Sequence, residues 1–298
     1  MAKIIECVPN FSEGRSKEVV ESIVDEIRRI EGIKLLDCSM DEDHNRSVVT
    51  FIGAPREVQR AAISAAIKAA ELIDMERHTG GHPRLGATDV IPFIPIRESS
   101  IEECVEIARE VAREIAQRLS IPTFLYEAAA TRPERKNLAN IRKGQYEGMK
   151  TRIKEEGWEP DFGPREVHPK SGATVVGARM PLIAFNVNLG TPDINIAKKI
   201  AEVVREAGGG LKNVMAMGVM LKEKNIAQVS MNMINYRQTS LYRSYEMVKM
   251  EAKKYGVAVI ASEIVGLTPV DALIDVAEYY LQLEGFSREQ ILESHLYE

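Results

Sequence analysis

The two halves of this chain carry the same order of strand and helix patterns, and this order restricts the fold more than any other feature. In the first half, apolar runs that predict strands and amphipathic runs that predict helices follow in the order strand, helix, strand, strand, helix, strand: 4–8, 16–30, 34–38, 47–52, 55–74 and 90–96. A helix over 100–119 and a strand over 123–126 come next. The second half repeats the order over 182–189, 194–207, 213–221, 227–234, 241–255 and 257–262.

This order predicts an α+β fold of two tandem ferredoxin-like subdomains of the βαββαβ type, each a β-sheet layered with helices. With 298 residues, of which 45% are hydrophobic, the chain is long enough to form two cores. We place the subdomains at 1–178 and 179–298, and we expect a ligand cleft between them.

A long polar passage over 130–177 separates the two patterns. Its aromatic and small residues Trp158, Phe162 and Gly163 lead towards an apolar strand, and such a composition is unusual in disordered linkers. Ordered loops of this length usually carry function. The passage is therefore predicted to line a ligand, and a basic, solvated surface loop stays as the alternative.

The run 78–86 places two histidines, an arginine and three glycines within nine residues. Glycine allows a backbone to approach a ligand closely, and Pro83 fixes its own φ, so the run predicts a shaped loop that presents His82. An imidazole held in this way can carry protons near neutral pH. The alternative is a tight surface turn in which His82 caps a neighbouring element.

Charge and hydropathy restrict the partners of the chain. The formal net charge is −5 and no Lys/Arg-rich tract is present, so we expect no nucleic-acid partner. No stretch approaches the roughly 18 apolar residues of a membrane span, and the N-terminus has no apolar signal segment, so we expect no membrane partner and a cytoplasmic location.

The cysteines and histidines do not predict a disulfide or a metal site. Cys7, Cys38 and Cys104 are odd in number and widely spaced, and Cys38 is expected to be a small buried residue rather than a nucleophile. His78 and His82 have a spacing that would suit two ligands on one helix face, but the glycines and Pro83 between and beside them disfavour a helix.

Six blocks that span nearly the whole chain in order resemble the glutamate formiminotransferase family. They are ECVPNFSEGR at 6–15, HTGGHPRLGATDVIPFIPI at 78–96, DFGP at 161–164, GATVVGAR at 172–179, LIAFNVNL at 182–189 and KNIAQVSMN at 224–232. Each block alone is a weak signal, whereas six in register make an accidental match improbable.

The resemblance implies a reaction and its site. Members of the family transfer the formimino group of N-formimino-L-glutamate to N5 of tetrahydrofolate, which gives 5-formiminotetrahydrofolate and L-glutamate in histidine degradation and one-carbon metabolism. His82 matches the family's catalytic histidine, and tetrahydrofolate is the acceptor substrate, with no metal. The folate-binding passage of the family matches ten residues here: Gly163, Pro164, Arg165, Glu166, Val167, His168, Pro169, Lys170, Ser171 and Gly172. Two other functions stay open, namely formyl transfer between 5-formyltetrahydrofolate and glutamate, and pterin binding without catalysis.

Charged and polar side chains near the motifs are expected to complete the site. Arg165 and Lys170 could neutralise substrate carboxylates, and Asn10, Glu13, Asn45 and Arg46 are expected to shape the pocket, although Arg46 could instead form a strand-edge salt bridge. A carboxylate beside the cationic formimino group would hold its reactive form, and the candidates are Asp37, Asp41, Asp43 and Asp89. Vertebrate members carry an aspartate two residues after the one matching Asp37, where this chain has Ser39, so the acid stays undetermined.

The resemblance also implies partners. We expect a homodimer that binds formiminoglutamate and a reduced folate. Vertebrate members continue into a helical cyclodeaminase domain, whereas this sequence ends at Glu298, so we expect a separate cyclodeaminase to act downstream.

Overall fold

The computed structural model describes residues 3–297. The chain divides into two compact units, the first ending at Arg179 and the second beginning at Met180. Each unit has its own apolar core between a sheet and its helices.

The first unit begins with the predicted βαββαβ order. Its elements are β1 (Ile4–Cys7), β2 (Asn10–Phe11), α1 (Lys17–Arg28), β3 (Lys34–Asp41), β4 (Arg46–Gly53), α2 (Pro55–Leu72) and β5 (Thr88–Arg97). Both β1 and β2 pair with β4 and with β5, so together they act as one interrupted strand between them. Since β3 pairs with the other side of β4, the sheet has the strand order of a ferredoxin-like fold.

Capping and apolar spacing explain the first helix. The Ser16 hydroxyl accepts a hydrogen bond from Val19 N, and this bond satisfies one of the free N–H groups at the start of α1. Val20, Ile23, Val24 and Ile27 recur at helical spacing and are buried in the core.

Two further strands widen the first sheet: β6 (Thr123–Glu127) and β7 (Thr174–Ala178). Helix α3 (Ile101–Leu119) connects β5 to β6. Strand β7 lies between β5 and β6 and is parallel to both. The sequence analysis predicted no strand over 174–177, which it assigned to the irregular passage over 130–177, and this prediction is wrong. All five residues of β7 are buried, as is usual for a parallel strand covered on both faces.

The passage between β6 and β7 is ordered and belongs to the first unit. It contains α4 (Leu138–Ile141) and α5 (Gln145–Arg152). Arg135, whose side chain is 1% exposed, donates to Asp161 Oδ2 at 2.7 Å, and Leu125 N in β6 donates to the same oxygen at 2.8 Å. This buried ion pair fastens the passage to the sheet.

The second unit repeats the fold without the added strands. Its elements are β8 (Ile183–Leu189), α6 (Ile194–Val204), β9 (Val214–Leu221), β10 (Ile226–Met233), α7 (Leu241–Lys253), β11 (Val259–Val265) and α8 (Val270–Leu281). The strands are antiparallel in the order β11-β8-β10-β9, the same ferredoxin-like order as in the first unit. The α+β class with two tandem subdomains is thus confirmed, whereas the ligand cleft stays a prediction.

The described residues also bear on the expectations for Cys38, for a membrane span and for a metal site. Cys38 is exposed, so the expectation of a buried thiol is wrong, because β3 is an edge strand. Within residues 3–297, no helix is both long and apolar enough to cross a membrane, and no group of three or more His, Cys, Asp or Glu side chains is arranged to hold a metal ion.

Candidate active site

The loop that carries His82 joins α2 to β5 and lies against the turn between β3 and β4. Gly81 N donates to Asp43 O at 3.0 Å, and His82 N donates to His44 O at 3.4 Å. At Gly80 a Cβ atom would lie 2.3 Å from His44 O, so a larger residue could not occupy this position without moving the turn. The glycines therefore allow the close approach that brings His82 to the end of the first sheet.

Asn45 fixes the turn with its side chain. It adopts a φ of +48° and is buried, which is a conformation that asparagine tolerates better than most residues. Its Oδ1 accepts from Gly14 N and its Nδ2 donates to Thr79 O, both at 2.9 Å. Asn45 thus joins three separate segments around His82.

His78 is held by hydrogen bonds at both ring nitrogens. Arg84 Nε donates to His78 Nδ1 at 3.2 Å, and His78 Nε2 lies 3.0 Å from Asn45 O, to which it must donate. Arg84 is itself buried and binds both carboxylate oxygens of Glu147 at 2.7 and 2.9 Å. Burial lowers the pKa of His78. This histidine is therefore neutral and engaged in holding the loop.

His82 has a different environment. Arg46 Nη1 lies 3.3 Å from His82 Nε2, and since a guanidinium can only donate, Nε2 is the acceptor and the ring is neutral. Burial, followed by the positive charges of Arg46, Arg142 and His44, lowers the pKa of His82 to about 3. His82 is thus a neutral, half-buried imidazole whose lone pair at Nε2 faces the Arg46 guanidinium.

A second histidine with its carboxylate partner lies next to His82. The rings of His44 and His82 are 6.3 Å apart between centroids and meet edge to face. His44 Nδ1 lies 2.8 Å from Asp41 Oδ2, and His44 N donates to Asp41 Oδ1 at 2.8 Å. This backbone hydrogen bond is the main reason that the pKa of Asp41 is lowered.

One face of the first sheet packs on helices, and the other face presents polar side chains near Arg46. Val49 and Phe51 belong to the core, so alternation along β4 turns Arg46, Val48 and Thr50 to the opposite face. The pairing register sets three side chains of β3 directly across from those residues: Asp37, Ser39 and Asp41. Asn10 shares this face, since it pairs with Val48, and its Oδ1 accepts from Arg46 Nη1 at 3.4 Å.

The candidate carboxylates differ in how far they are already engaged. Asp89 is 1% exposed, forms an ion pair with Arg142 and accepts from Leu85 N at 2.8 Å, so it stabilises the loop from within. Asp37 and Asp41 are exposed on the polar face of the sheet, and of these two Asp41 is already bound by His44. The geometry therefore favours these two as partners for a cationic group.

Asp43 and Glu13 act locally. Asp43 contributes its backbone oxygen to the loop that carries His82. Glu13 Oε1 accepts from Arg15 N and Ser16 N, both at 2.8 Å, just before α1 begins. Glu13 therefore shapes the start of this helix.

The ten residues predicted to bind folate form an ordered loop that ends beside the His82 loop. Gly86 and Gly172 form a bridge, Ala87 N donates to Ser171 O at 2.8 Å, and Ala173 N donates to Leu85 O at 3.0 Å. Gly172 has a φ of +75°, and a Cβ there would lie 2.2 Å from Leu85 O. Three of the ten residues are buried, namely Val167, Ser171 and Gly172, and His168 is half-buried. The other six are exposed: Gly163, Pro164, Arg165, Glu166, Pro169 and Lys170.

The two cations of this loop contact backbone carbonyls. Arg165 Nη2 donates to Lys154 O and Glu155 O, both at 2.8 Å, and also lies 3.2 Å from the Glu159 carboxylate. Lys170 Nζ donates to Glu71 O at the end of α2. Arg165 therefore stabilises the turn after α5. Lys170 is exposed, and within residues 3–297 no carboxylate forms an ion pair with it.

Arg142 is a residue of the site that the sequence did not predict. Its charge contributes to the low pKa of His82, and its pairing with Asp89 fixes it below the loop. The Nε atoms of Arg46 and Arg142 are both buried, and within residues 3–297 neither has a hydrogen-bond partner. An arginine in an irregular polar passage carries no periodic signal, so spacing alone could not have identified it.

We expect Arg46→Gln to raise the pKa of His82 above its value of about 3, because the substitution removes the adjacent positive charge. Burial is the largest cause of the shift and persists in the variant, so the pKa should stay below its ordinary value. The pH dependence of the histidine ring resonances in NMR measures this change. His44→Gln is the control and should have a smaller effect; an unchanged His82 titration in Arg46→Gln would contradict the assigned contact.

Comparison with known proteins covers both units. The family described as "Formiminotransferase domain, N-terminal subdomain" matches residues 4–179, and the family described as "Formiminotransferase domain" matches residues 184–295. A Streptococcus pyogenes serotype M1 protein named Glutamate formimidoyltransferase is 57% identical over 99% of this chain and 99% of its own. A Thermoplasma acidophilum protein of the same name is 51% identical over 97% and 96% of the two chains. The Formimidoyltransferase-cyclodeaminase of Rattus norvegicus is 44% identical over 95% of this chain and 53% of its own length.

Proposed function

This chain belongs to the formiminotransferase family, and from this premise we propose how it transfers the formimino group of N-formimino-L-glutamate to N5 of tetrahydrofolate. The products are 5-formiminotetrahydrofolate and L-glutamate, and tetrahydrofolate is a substrate of the reaction. The observation that carries the assignment to a site is the neutral His82 imidazole beside Arg46 at the end of a polar sheet face.

The reaction needs proton transfer at two nitrogens. N5 of tetrahydrofolate attacks the formimino carbon, and a tetrahedral adduct forms. A proton then leaves N5, and the glutamate nitrogen gains a proton as the bond between this nitrogen and the formimino carbon breaks. We assign both transfers to His82, which accepts the first proton at Nε2 and donates it to the leaving nitrogen, so that the ring ends the cycle neutral.

Substrate carboxylates would prepare His82 for this role. A base with a pKa of about 3 takes up protons poorly at neutral pH. The unpaired Nε donors of Arg46 and Arg142 suit the carboxylates of formiminoglutamate, and two negative charges there would offset the charges that lower the pKa. Binding of the donor would therefore raise the pKa of His82 and make it an effective base only in the occupied site.

The loop from Gly163 to Gly172 is proposed to bind the folate. Its support is the exposure of Gly163 to Glu166, the unneutralised charge of Lys170 and the backbone pairing of its last residues with those that follow His82. Lys170 is the cation best placed to meet a glutamate tail, because Arg165 is engaged in the turn after α5.

The test of the proposed function compares two donors with purified protein. Glutamate release from formiminoglutamate should require tetrahydrofolate and should exceed any transfer of a formyl group from 5-formyltetrahydrofolate to glutamate. Formyl transfer without formimino transfer would instead assign to the protein the exchange of a formyl group between 5-formyltetrahydrofolate and glutamate. Tight binding of both substrates without turnover would instead identify a pterin-binding protein.

We also propose that the protein acts as a cytoplasmic homodimer. Apolar side chains around α8 are solvent-exposed in the single chain: Leu267, Val270, Leu273 and Leu281. An exposed apolar group of this kind is typical of a protein interface.

A further inference from the structure

The first three residues of α5 hold Arg84, which belongs to the loop that carries His82. Gln145 Oε1 accepts from Arg84 Nη1 at 2.9 Å, and Tyr146 N donates to Arg84 O at 2.8 Å. Glu147 binds the same guanidinium through both carboxylate oxygens. Gln145 makes its contact with a φ of +56°, a left-handed conformation that is unfavourable for a residue with a side chain and persists only where the surroundings fix it. The start of α5 is therefore a fixed support for this loop.

The side chain of Tyr146 reaches a second loop. Tyr146 is 2% exposed, and its hydroxyl lies 2.9 Å from Pro169 O and 2.6 Å from Glu76 Oε1. Burial raises the pKa of Tyr146 to about 12, so the hydroxyl keeps its single proton, which these two acceptors share. Pro169 belongs to the loop 163–172, which is proposed to bind the folate. One residue thus contacts the His82 loop with its backbone and the folate loop with its side chain.

Pro169 lies in a tight turn of the folate loop. His168 and Gly172 close this turn, since each donates its N–H to the carbonyl of the other, at 3.1 and 2.8 Å. The turn is attached to the segment after α2, where Met75 N donates to Lys170 O at 2.8 Å. Its attachment to α5 is the tyrosine hydroxyl at the start of that helix. The place of the turn relative to α5 therefore depends on one side chain.

Glu76 does not depend on the same hydroxyl. Lys150 Nζ donates to Glu76 Oε1 and lies 4.4 Å from the centre of the Tyr146 ring. The Glu76 side chain is 53% exposed, so water can also solvate it. The contact that loss of the hydroxyl would remove from the site is therefore the one to Pro169 O.

We propose that Tyr146 is a positioning residue for the acceptor substrate, because its hydroxyl holds the loop 163–172 in place relative to the loop that carries His82. The inference rests on the proposed function, which assigns the folate to this loop. The backbone contact to Arg84 survives removal of the hydroxyl, whereas the contact to Pro169 does not. Removal of the hydroxyl therefore disturbs binding of the folate and spares proton transfer.

The test uses Tyr146→Phe, which keeps the buried ring and removes the hydroxyl. The KM for tetrahydrofolate should rise by about three- to tenfold, the range expected for loss of one hydrogen bond. The value of kcat and the KM for formiminoglutamate should stay unchanged, because the contact supports binding rather than the chemical step. Affinity for 5-formyltetrahydrofolate, a stable folate probe, should fall by the same factor in calorimetric titration. A rise in the KM for formiminoglutamate alone, or an equal rise for both substrates, would overturn the inference.

Glu76→Ala separates the two acceptors of the hydroxyl. In this variant the proton of Tyr146 is donated to Pro169 O alone, so the KM for tetrahydrofolate should not rise. A rise as large as that in Tyr146→Phe would show that the contact to Glu76, rather than the one to Pro169, supports the site, and it would overturn the inference.

Ser99→Ala is the control for a general loss of stability. Ser99 lies beyond the far end of β5 from the His82 loop, and its hydroxyl donates to Ile4 O at 2.9 Å and accepts from Ile96 N at 3.2 Å. The variant loses a hydroxyl of the same unit without touching either loop, so both KM values should equal those of the wild type. A raised KM for tetrahydrofolate here would assign the effect to stability and overturn the positioning role.

Hydrogen exchange tests the hold on the loop without turnover. The amides of His168 and Gly172 should exchange faster in Tyr146→Phe than in the wild type, and at the wild-type rate in Ser99→Ala. Unchanged exchange and unchanged KM values in an active Tyr146→Phe enzyme would overturn the inference and leave the proposed reaction intact. An inactive wild-type protein would refute the reaction itself, and faster exchange would then still support the hold of Tyr146 on the loop.

Discussion

Replacement of His82 by alanine is expected to lower kcat by about two to four orders of magnitude, the usual range for loss of a general acid–base. The melting temperature should change little, because the side chain is half-buried and its Nε2 receives a long hydrogen bond of 3.3 Å from Arg46. Affinity for both substrates should also be retained, since the role assigned to His82 is proton transfer. Steady-state rates, substrate titrations and thermal melts measure the three quantities.

His78→Ala is the matched control for this experiment. His78 accepts from buried Arg84 and donates to Asn45 O, so its removal leaves groups of the loop without partners and should cost about 1–3 kcal/mol of stability. Its effect on the melting temperature should exceed that of His82→Ala, and its effect on kcat should be the smaller of the two. Full activity of His82→Ala together with a normal melt would reject the proton-transfer role and make His44 the next base to test.

Asp161→Ala is expected to lower the free energy of unfolding of the first unit by about 3–5 kcal/mol, the typical effect of removing one partner of a buried ion pair. The substitution leaves Arg135, 1% exposed, without its carboxylate, and it also removes the acceptor for Leu125 N and the Thr131 hydroxyl. Trp158 is the only tryptophan and lies 5.9 Å from the Arg135 guanidinium. Urea unfolding followed by its fluorescence therefore reports on this region directly.

Two variants separate charge from position in that experiment. Glu159→Ala removes a neighbouring carboxylate whose side chain is 36% exposed, against 7% for Asp161, and should change the unfolding free energy by at most about 1 kcal/mol. Asp161→Asn keeps an acceptor of the same shape and should fall between the two. A stability loss in Asp161→Ala no larger than that in Glu159→Ala would show that the ion pair does not hold the passage in place.

The elements that follow from local patterns could be predicted from the sequence. The helix after Ser16 has its cap and its apolar spacing within a dozen residues, and the repeated strand order gave the class of both units. Strand β7 was missed because a buried parallel strand has no alternation and here follows a long irregular passage. Its partners are β5 and β6, and no local signal indicates an insertion between them.

The candidate site was predictable in its residues rather than in their contacts. The run around His82 and the resemblance to a family identified the histidine, and its catalytic role stays a prediction. The tie from Asn45 to Gly14 and Thr79 spans more than thirty residues in each direction, and the approach of Arg142 to this loop spans more still. Such contacts depend on the tertiary fold. They decide whether an imidazole is held by hydrogen bonds at both ring nitrogens, like His78, or keeps a nitrogen that can accept a proton.

The position of β7 also sets the order in which a growing polypeptide can complete its first sheet. Strand β6 pairs with β7 in the described chain, and β7 leaves the ribosome only after residues 128–173 have been made. Until then β5 lacks its parallel neighbour and presents an open edge, which is the kind of surface that nascent chains bury by aggregating. Ribosome pausing within 128–173 should therefore harm the yield of folded protein more than pausing of equal length later in the chain, once β7 has emerged from the ribosome and can pair with β5 and β6.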